Sequence, residues 1–524
     1  MKIRVHDITL GLDDDPASLP SRAAERIGLP SARAAGWRIA RRAIETRGPQ
    51  PVFVYAVDLE VDPAAAPRLG ASAHAVADPR PFEAPPGAEP LRGRVAVIGC
   101  GPAGLAATLR LAEQGYRPLL LERGLPVAER CGAAARFLRS GQLDPECNLL
   151  YGAGGCCLFS AGRLRASPGL PRVTETLRRF VEAGGPEEIL YDTRPWVGSD
   201  RLRAVIESLC RLCLARGAEI CWNTRVDAID AAGGQVRAVH TSNGIFETGV
   251  LIAAPGPNAR DTVTTLLRAG VRIEARAFRM GLRIEHTQDF IDHAVYGASA
   301  GHPALGAAEY FLASRGPRPV SIAYPCPGGS LLPIAAEPLT LGVSGGASYA
   351  RDSGRCNAAL VTPVSPEEAG GSPLAGLALL RHFEEVAYVQ GGGGYRVPAQ
   401  NAADFLKGVV GPLQSESACG CGLRPADLSS ILPPHAAGAI ARALREFEQR
   451  IPGFTSQGAL LTGPESHASC PIRVPRDPNT RQSVSVNGLY PAGAGSGHAC
   501  GIVSSFVDGL LAAEAVIRRF RPPA

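Results

Sequence analysis

Alternating apolar and polar residues open the chain, and MKIRVHDITLGL reads as a strand near Ile3–Thr9. The pattern goes on to predict a helical stretch from about Ser21 to Ile27, a second from Ala34 to Glu45, and a strand Pro51–Leu59, together a small α/β unit at 1–62. Residues 63–92 are Pro- and Ala-rich and read as a linker, because their prolines block regular pairing. From Arg94 the pattern changes: VAVIG is a buried-strand run, LAATLRLAEQG an amphipathic helix, and PLLLERG a second buried strand, which is βαβ organisation. DRLRAVIESLCRLCLARG reads as a helix, AEICWNT and RVDAID as strands, and QVRAVHTSNGIFETGVLIAAPG as a hairpin turning at Asn243-Gly244 before another buried strand. Two strand groups, AFRMGLRIEH and PVSIAYPCPGGSLLPI, lie in a middle region that closes near the helix ALREFEQRI. The last 70 or so residues return to strand, glycine turn and helix. The expected divisions are therefore 1–62, a linker at 63–92, a nucleotide-binding domain in two parts at 93–275 and 456–524, and an inserted domain at 276–455.

Composition narrows the function classes. With 524 residues, 45% of them apolar and 20% charged, the chain has material for several cores, so a mini-protein scaffold and a disordered chain are both excluded. Sixty-one glycines and 45 prolines exceed the usual share and point to many turns and close backbone approaches. A net charge of +5 spread over this length argues against nucleic acid or an anionic membrane as partner, and the near-total use of Arg, with Lys only at Lys2 and Lys407, reads as compositional bias. The N-terminus lacks a continuous apolar signal-peptide region and no 18-residue apolar run occurs, so the expectation is a cytoplasmic protein whose 14 cysteines are mostly thiols.

The motif with most physical content is Gly99-Cys100-Gly101-Pro102-Ala103-Gly104, between the predicted strand Val95–Ile98 and the helix from Leu105. Gly99 makes the tight turn, Gly101 lets a pyrophosphate approach the backbone, and Gly104 lets helix and strand pack closely, while the helix N-terminus presents free N–H groups to phosphate. Glu122 stands 18 residues after Gly104, where a carboxylate accepts from ribose hydroxyls. A late segment, Pro491-Ala-Gly493-Ala-Gly495-Ser-Gly497, precedes a helix from about Ile502 and supplies a second close approach, and the pair argues FAD rather than NAD. The fold class is then α/β: a Rossmann-type FAD-binding domain with an inserted α+β substrate domain and a small N-terminal α/β domain. Its cofactor wall is expected to include Pro102, Ala103, Arg123, Gly154, Gly155, Val226, Ala254, Gly256 and Ile502.

Blocks along nearly the whole chain carry a closer likeness: VAVIGCGPAGLAATLRLAEQGYRPLLLERG with Arg130, YGAGGCCLFSAGRL, RPWVGSDRL, PGPNARDT, FRMGLRIEHTQDFID, CPGG, GPESHASCPIRV and GLYPAGAGSGHACGIVSSFVDG. As a set they resemble a bacterial family of FAD-dependent dehydrogenases, largely uncharacterised, of the glutathione-reductase-type flavoprotein fold. The resemblance implies bound FAD and an oxidoreductase role, with Arg130 at the cofactor, and implies no particular substrate. The chain departs from the family where flavin contact is expected. Cys156 and Cys157 replace small residues in a segment that also loses two acids, His498 and Cys500 stand in the late glycine turn, Trp196 replaces a histidine, and Tyr324 and Cys326 sit in AYPCPGG.

These substitutions name the candidate chemistry. His498 is the candidate base, because an imidazole titrates near neutrality and its turn is expected beside the isoalloxazine. Cys156, Cys157 and Cys500 are candidates for thiol chemistry at the flavin if their thiolates form. Arg283, His286 and Tyr324 are expected at the substrate, with a purely structural role open for the RxEH strand. No metal set at structural-zinc spacing is visible. No second nucleotide fingerprint appears, so NAD(P)H enters only as a transient reductant. The leading reading is an FAD-dependent dehydrogenase or oxidase acting on a small organic molecule in specialised biosynthesis, of unassigned oligomeric state. Flavin–thiol oxidoreductase and flavin monooxygenase are alternatives. Another class remains open: an FAD-containing RNA- or protein-binding module, resting on Arg33, Arg38, Arg41, Arg42 and Arg47 along the expected helix 34–45.

Overall fold

The structure, a computed structural model, describes residues 1–523 apart from 31–33, 64–69, 78–84 and 166–169. The N-terminal unit is a four-stranded antiparallel sheet in the spatial order Ala34–Glu45, Val52–Val61, Lys2–Leu10, Ala73–Val76, with the helix Leu19–Arg26 packed on one face. Its core is Ile3, Val5, Ile8, Leu10, Val57 and Leu59, all buried from alternate positions of two neighbouring strands.

Two expectations fail here. The segment Ala34–Glu45 is a strand, paired in register with Val52–Val61, and its helical reading arose because a bulge between Ile39 and Arg41 breaks the period-two alternation. No basic helix face exists for RNA: Arg38 donates to Asp58, Arg42 forms a bidentate pair with Asp192 at 2.9 and 2.7 Å, and Arg47 lies 3.8 Å from Glu45, while Arg33 falls outside the described residues. Nor is 63–92 simply a linker. Ala73–Val76 completes the first sheet, and the amides of Gly87 and Glu89 donate to the carbonyls of Ile517 and Arg519 at the end of the last helix.

The part expected to bind a nucleotide is a five-stranded parallel sheet in the order Leu489–Pro491, Leu251–Ala253, Ala96–Ile98, Leu119–Leu121, Glu219–Cys221. Every residue of the central three strands is buried, as a parallel sheet covered on both faces requires. The helices Pro102–Glu113 and Ile502–Arg519 lie against each other on one face, so close that a Cβ at Gly509 would overlap the Ala103 backbone. A three-stranded antiparallel unit, Val226–Asp230, Ala238–Thr241 and Gly244–Glu247, turns where the Asn-Gly pair predicts.

The middle region is a six-stranded sheet in the order Ser321–Pro327, Arg355–Val364, Phe278–Thr287, Leu460–Glu465, Val397–Asn401, Leu423–Pro425. Because Leu460–Glu465 pairs with Phe278–Thr287, the return to the nucleotide domain begins beyond it and not at 456. On the central strand Met280, Leu282, Ile284 and His286 face one side, into a core with the helices Ala375–Gln390 and Pro434–Arg450. Gly281, Arg283 and Glu285 face the other side.

The N-terminal sheet is pinned by Asp58, which is 1% exposed and accepts from Arg4 at 2.7 and 3.0 Å and from Arg38 at 2.9 and 3.0 Å. Burial alone raises a carboxyl pKa, and the two guanidiniums overcome it and hold Asp58 below its ordinary value. Its contribution is therefore present above the unfolded carboxyl range near pH 4 and is lost as pH falls through the lower folded value. Asp58→Ala is expected to cost about 1–3 kcal/mol in urea unfolding at pH 7, with the difference from wild type shrinking toward pH 3.

Candidate functional site

One cavity of about 310 Å³ lies between the parallel sheet and the polar face of the six-stranded sheet. At one end stand Glu122, Arg123 and Val226, past the C-terminal ends of the parallel strands, where ligands bind in open α/β sheets. Gly99, Gly101, Pro102 and Ala103 form the middle with Ala254, Gly256, Gly493 and Ile502. At the far end are Arg163, Arg165, Arg283, Tyr324, Cys326, Glu465 and His467.

Two helix N-termini, at Pro102 and Ile502, open on this cavity, so their free N–H groups and positive dipole ends converge on the middle of it. Gly101 is the N-cap of the first, with φ −78° and ψ −179°, a conformation open to any residue. A Cβ there would meet no atom within 4 Å, so neither the backbone conformation nor protein packing requires the glycine. Gly104, Gly154, Gly495 and Gly497 do not line the cavity. A Cβ on Gly104 would overlap the Gly99 carbonyl, one on Gly495 the Gly256 backbone, and one on Gly497 the Ile472 carbonyl, while on Gly154 it would press the Ile206 side chain at 3.1 Å. These glycines let protein approach protein.

Glu122 is in place but occupied. One carboxylate oxygen accepts from Cys100 N at 2.7 Å and the other from Gly124 N and Gly152 N at 2.9 and 3.0 Å. Arg130 is fully buried behind the wall and lines nothing; it donates to the carbonyls of Asn148, Ala153 and Gly155 at 2.9, 2.5 and 2.9 Å and so shapes the segment that carries Gly155. Arg123 lies over the Tyr151 ring at 4.6 Å and pairs with Asp261 and Glu146.

The candidate catalytic residues separate. His498 points away from the cavity, its Nε2 on the Val474 carbonyl at 2.9 Å; burial and then Arg476 push its pKa down to about 4. His286 lies on the helix side of its strand, stacked among Phe290, Tyr310 and Phe454 with Nε2 on the Phe454 carbonyl at 2.9 Å, and burial lowers it to about 4. The strand's alternation decides this: Arg283 faces the cavity, so residue 286 faces away. Arg283 itself is committed, donating to Asn357, Glu465 and the Tyr324 carbonyl at 3.0, 2.6 and 3.2 Å. Tyr324 lines the cavity and donates to the Ala468 carbonyl at 3.1 Å. Cys156, Cys157 and Cys500 all reach the wall, but Cys157 donates to the Gly154 carbonyl at 2.7 Å and burial pushes its thiol up, while Cys156 and Cys500 are exposed.

A residue given no role from the sequence completes the far end. His467 lines the cavity, and Ser466 Oγ beside it lies 2.7 Å from Glu384 Oε1 and 2.9 Å from His467 Nδ1. Ser466 donates to the carboxylate and therefore accepts from Nδ1–H, which leaves the Nε2 lone pair, and Nε2 has no hydrogen-bond partner. Burial keeps the ring neutral by lowering its pKa. The signal available was the polar run GPESHASC, in which Glu465, Ser466 and His467 are adjacent.

Comparison with known proteins bears on the same regions. Residues 277–468 match the family described as FAD-dependent protein, C-terminal domain-like, and residues 2–60 match a domain of unknown function. Among solved structures, the L-proline dehydrogenase of P. horikoshii is 12% identical over 83% of this chain and 96% of its own, with a TM-score of 0.37. The glycine oxidase of Geobacillus kaustophilus is 12% identical over 82% and 96%, with a TM-score of 0.36. An uncharacterized protein of Clostridium beijerinckii is 34% identical over 534 residues, the whole of both chains. The chain belongs to the family of that clostridial protein, and its middle region is similar to the FAD-dependent protein, C-terminal domain-like family.

Proposed function

We propose that the protein is an FAD-dependent oxidoreductase that oxidises a small organic molecule, with the dinucleotide laid along the cavity from Glu122 to the six-stranded sheet. The observation that carries this is Gly101: a glycine whose conformation any residue tolerates, beside no protein atom, between two helix N-termini that open on one cavity. The residues fit the group. Gly99, Gly101 and Gly493 line the pyrophosphate position, Glu122 and Arg123 the adenosine end, and Tyr324, Cys326 and His467 the ring end. When bound, FAD supplies a two-electron acceptor beside the far-end residues.

The protein's own part is to orient substrate and hold a proton. His467 and Glu384, 3.9 Å apart, form a buried pair behind the ring end that holds a proton. Arg283 and Glu465, buried at 2.6 Å from each other, fix the far wall. The substrate is the hydride donor in this reading, with oxygen or another acceptor reoxidising the flavin and NAD(P)H at most a passing reductant. A tailoring step in specialised biosynthesis suits an altered pocket on an intact cofactor frame.

The purified protein is expected to be yellow and to release FAD, identified by chromatography against FMN, on denaturation. Gly101→Val is expected to keep the wild-type melting temperature within a few degrees while losing bound flavin; a colourless wild-type protein that does not take up FAD would remove the reading. Thiol chemistry has one supporting observation, that Cys156 and Cys500 both open on the cavity. Replacing both by Ser is expected to leave turnover within about two-fold, because the proposed hydride transfer runs from substrate to flavin without a thiol. A loss of a hundred-fold would establish the flavin–thiol alternative instead.

A further inference from the structure

The far end of the cavity carries positive charge that the protein does not neutralise. Arg283 is balanced by Glu465, and Arg123 by Asp261 and Glu146. Arg163 differs. Its Nη2 lies 2.9 Å from Glu309, but its buried Nε and Nη1 have no acceptor among the described residues, although the side chain lines the cavity. Arg165, two residues on along the same cavity wall, has no carboxylate partner among the described residues, and its guanidinium lies 5.3 Å from the centre of the Tyr324 ring. Arg194 leans on the same Glu309 at 4.0 Å, so Arg163 and Arg194 share one carboxylate and Arg165 adds a third cation. Burial most of all depresses the Arg163 guanidinium; Glu309 and the Cys326 thiol oppose it, while Arg165 and Arg194 add to the depression. A buried donor without an acceptor costs free energy comparable to a lost hydrogen bond, and an arginine fork is shaped to give two N–H bonds to one oxyanion. Phe159 and Tyr324 border the same space.

Resting on the oxidoreductase reading, we infer that Arg163 and Arg165 bind an oxyanion of the substrate, which places the substrate class among small organic acids, carboxylate or phosphate, with an apolar body against Phe159 and Tyr324. The anion pairs with the exposed Arg165, sets a counter-charge beside Arg163, which shares its one carboxylate with Arg194, and brings the far end toward neutrality. The cationic mouth also draws such molecules in from solution.

The test uses the FAD-loaded protein at neutral pH and fixed ionic strength, titrated with para-fluorobenzoate, its neutral isostere para-fluorobenzamide, and phenyl phosphate. Binding is read both from the flavin absorbance and from fluorine or phosphorus NMR line width, the latter independent of flavin. Expected are binding of at least one acid, about ten-fold or more tighter than the amide, and loss of about ten-fold or more in Arg163→Gln and in Arg165→Gln with FAD content unchanged. The tighter of the two acids names the oxyanion. Because Arg165 is exposed, its variant folds even if the Arg163 variant does not. Equal binding of acid and amide, or acid binding unchanged in Arg165→Gln, overturns the inference; so does an Arg163→Gln protein that folds but loses FAD, which would assign that guanidinium to the cofactor. If the wild-type protein holds no FAD, the NMR arms still decide the anion site, so the two failures are told apart.

Discussion

The buried carboxylate of Glu122 is the point on which the site depends. It sits at the end of the second parallel strand and gathers three backbone amides, from the first glycine turn at Cys100, from the strand exit at Gly124 and from the loop at Gly152. An ionised group out of water persists only where hydrogen bonds replace hydration, and here amides of three separate segments do so. Arg130 completes the clamp from the other side of the loop, donating to the carbonyls at 148, 153 and 155 as Glu122 accepts from the amides. Acceptor and donor together give the 148–155 segment, which has little regular structure of its own, a single course along the cavity wall.

From that fixed course the composite nature of the site follows. The parallel sheet contributes the end at Glu122 and two helix N-termini, while the six-stranded sheet contributes a face on which Gly281, Arg283 and Glu285 alternate with core residues. Neither sheet encloses the cavity alone. The N-terminal sheet joins through Arg42, whose amide and carbonyl pair with 191 and 193 while its guanidinium grips Asp192, and that segment leads directly to Trp196, whose backbone bridges Arg163 of the cavity wall.

Local chemistry was legible in the sequence and distant packing was not. The βαβ run from Val95 to Glu122 could be read because strand, glycine turn, helix and acid fall within about thirty residues and each has its own physical signature. Asn243-Gly244 marked its hairpin for the same reason. The strand at Ala34–Glu45 could not, since a bulge hides its alternation and its partner lies beyond a proline-containing turn. Among glycines, spacing alone does not say whether a cofactor or another backbone comes close; Gly101 and Gly495 look alike in sequence and differ only in what stands opposite. His498 and His286 were attractive as imidazoles near motifs, yet each ring turns to a backbone carbonyl, and His467 gains a free Nε2 only through Ser466 and a glutamate 83 residues earlier, Glu384.

The account is tested most directly by hydrogen exchange and flavin content in Arg130→Met. The variant removes the donor half of the clamp and leaves both sheets in place, so amides across 148–157 should exchange much faster and bound FAD should fall several-fold, while strands 278–287 and 355–364 keep their protection. Unchanged exchange in 148–157 together with full flavin content would contradict the claim that Glu122 and Arg130 jointly build the cofactor cradle.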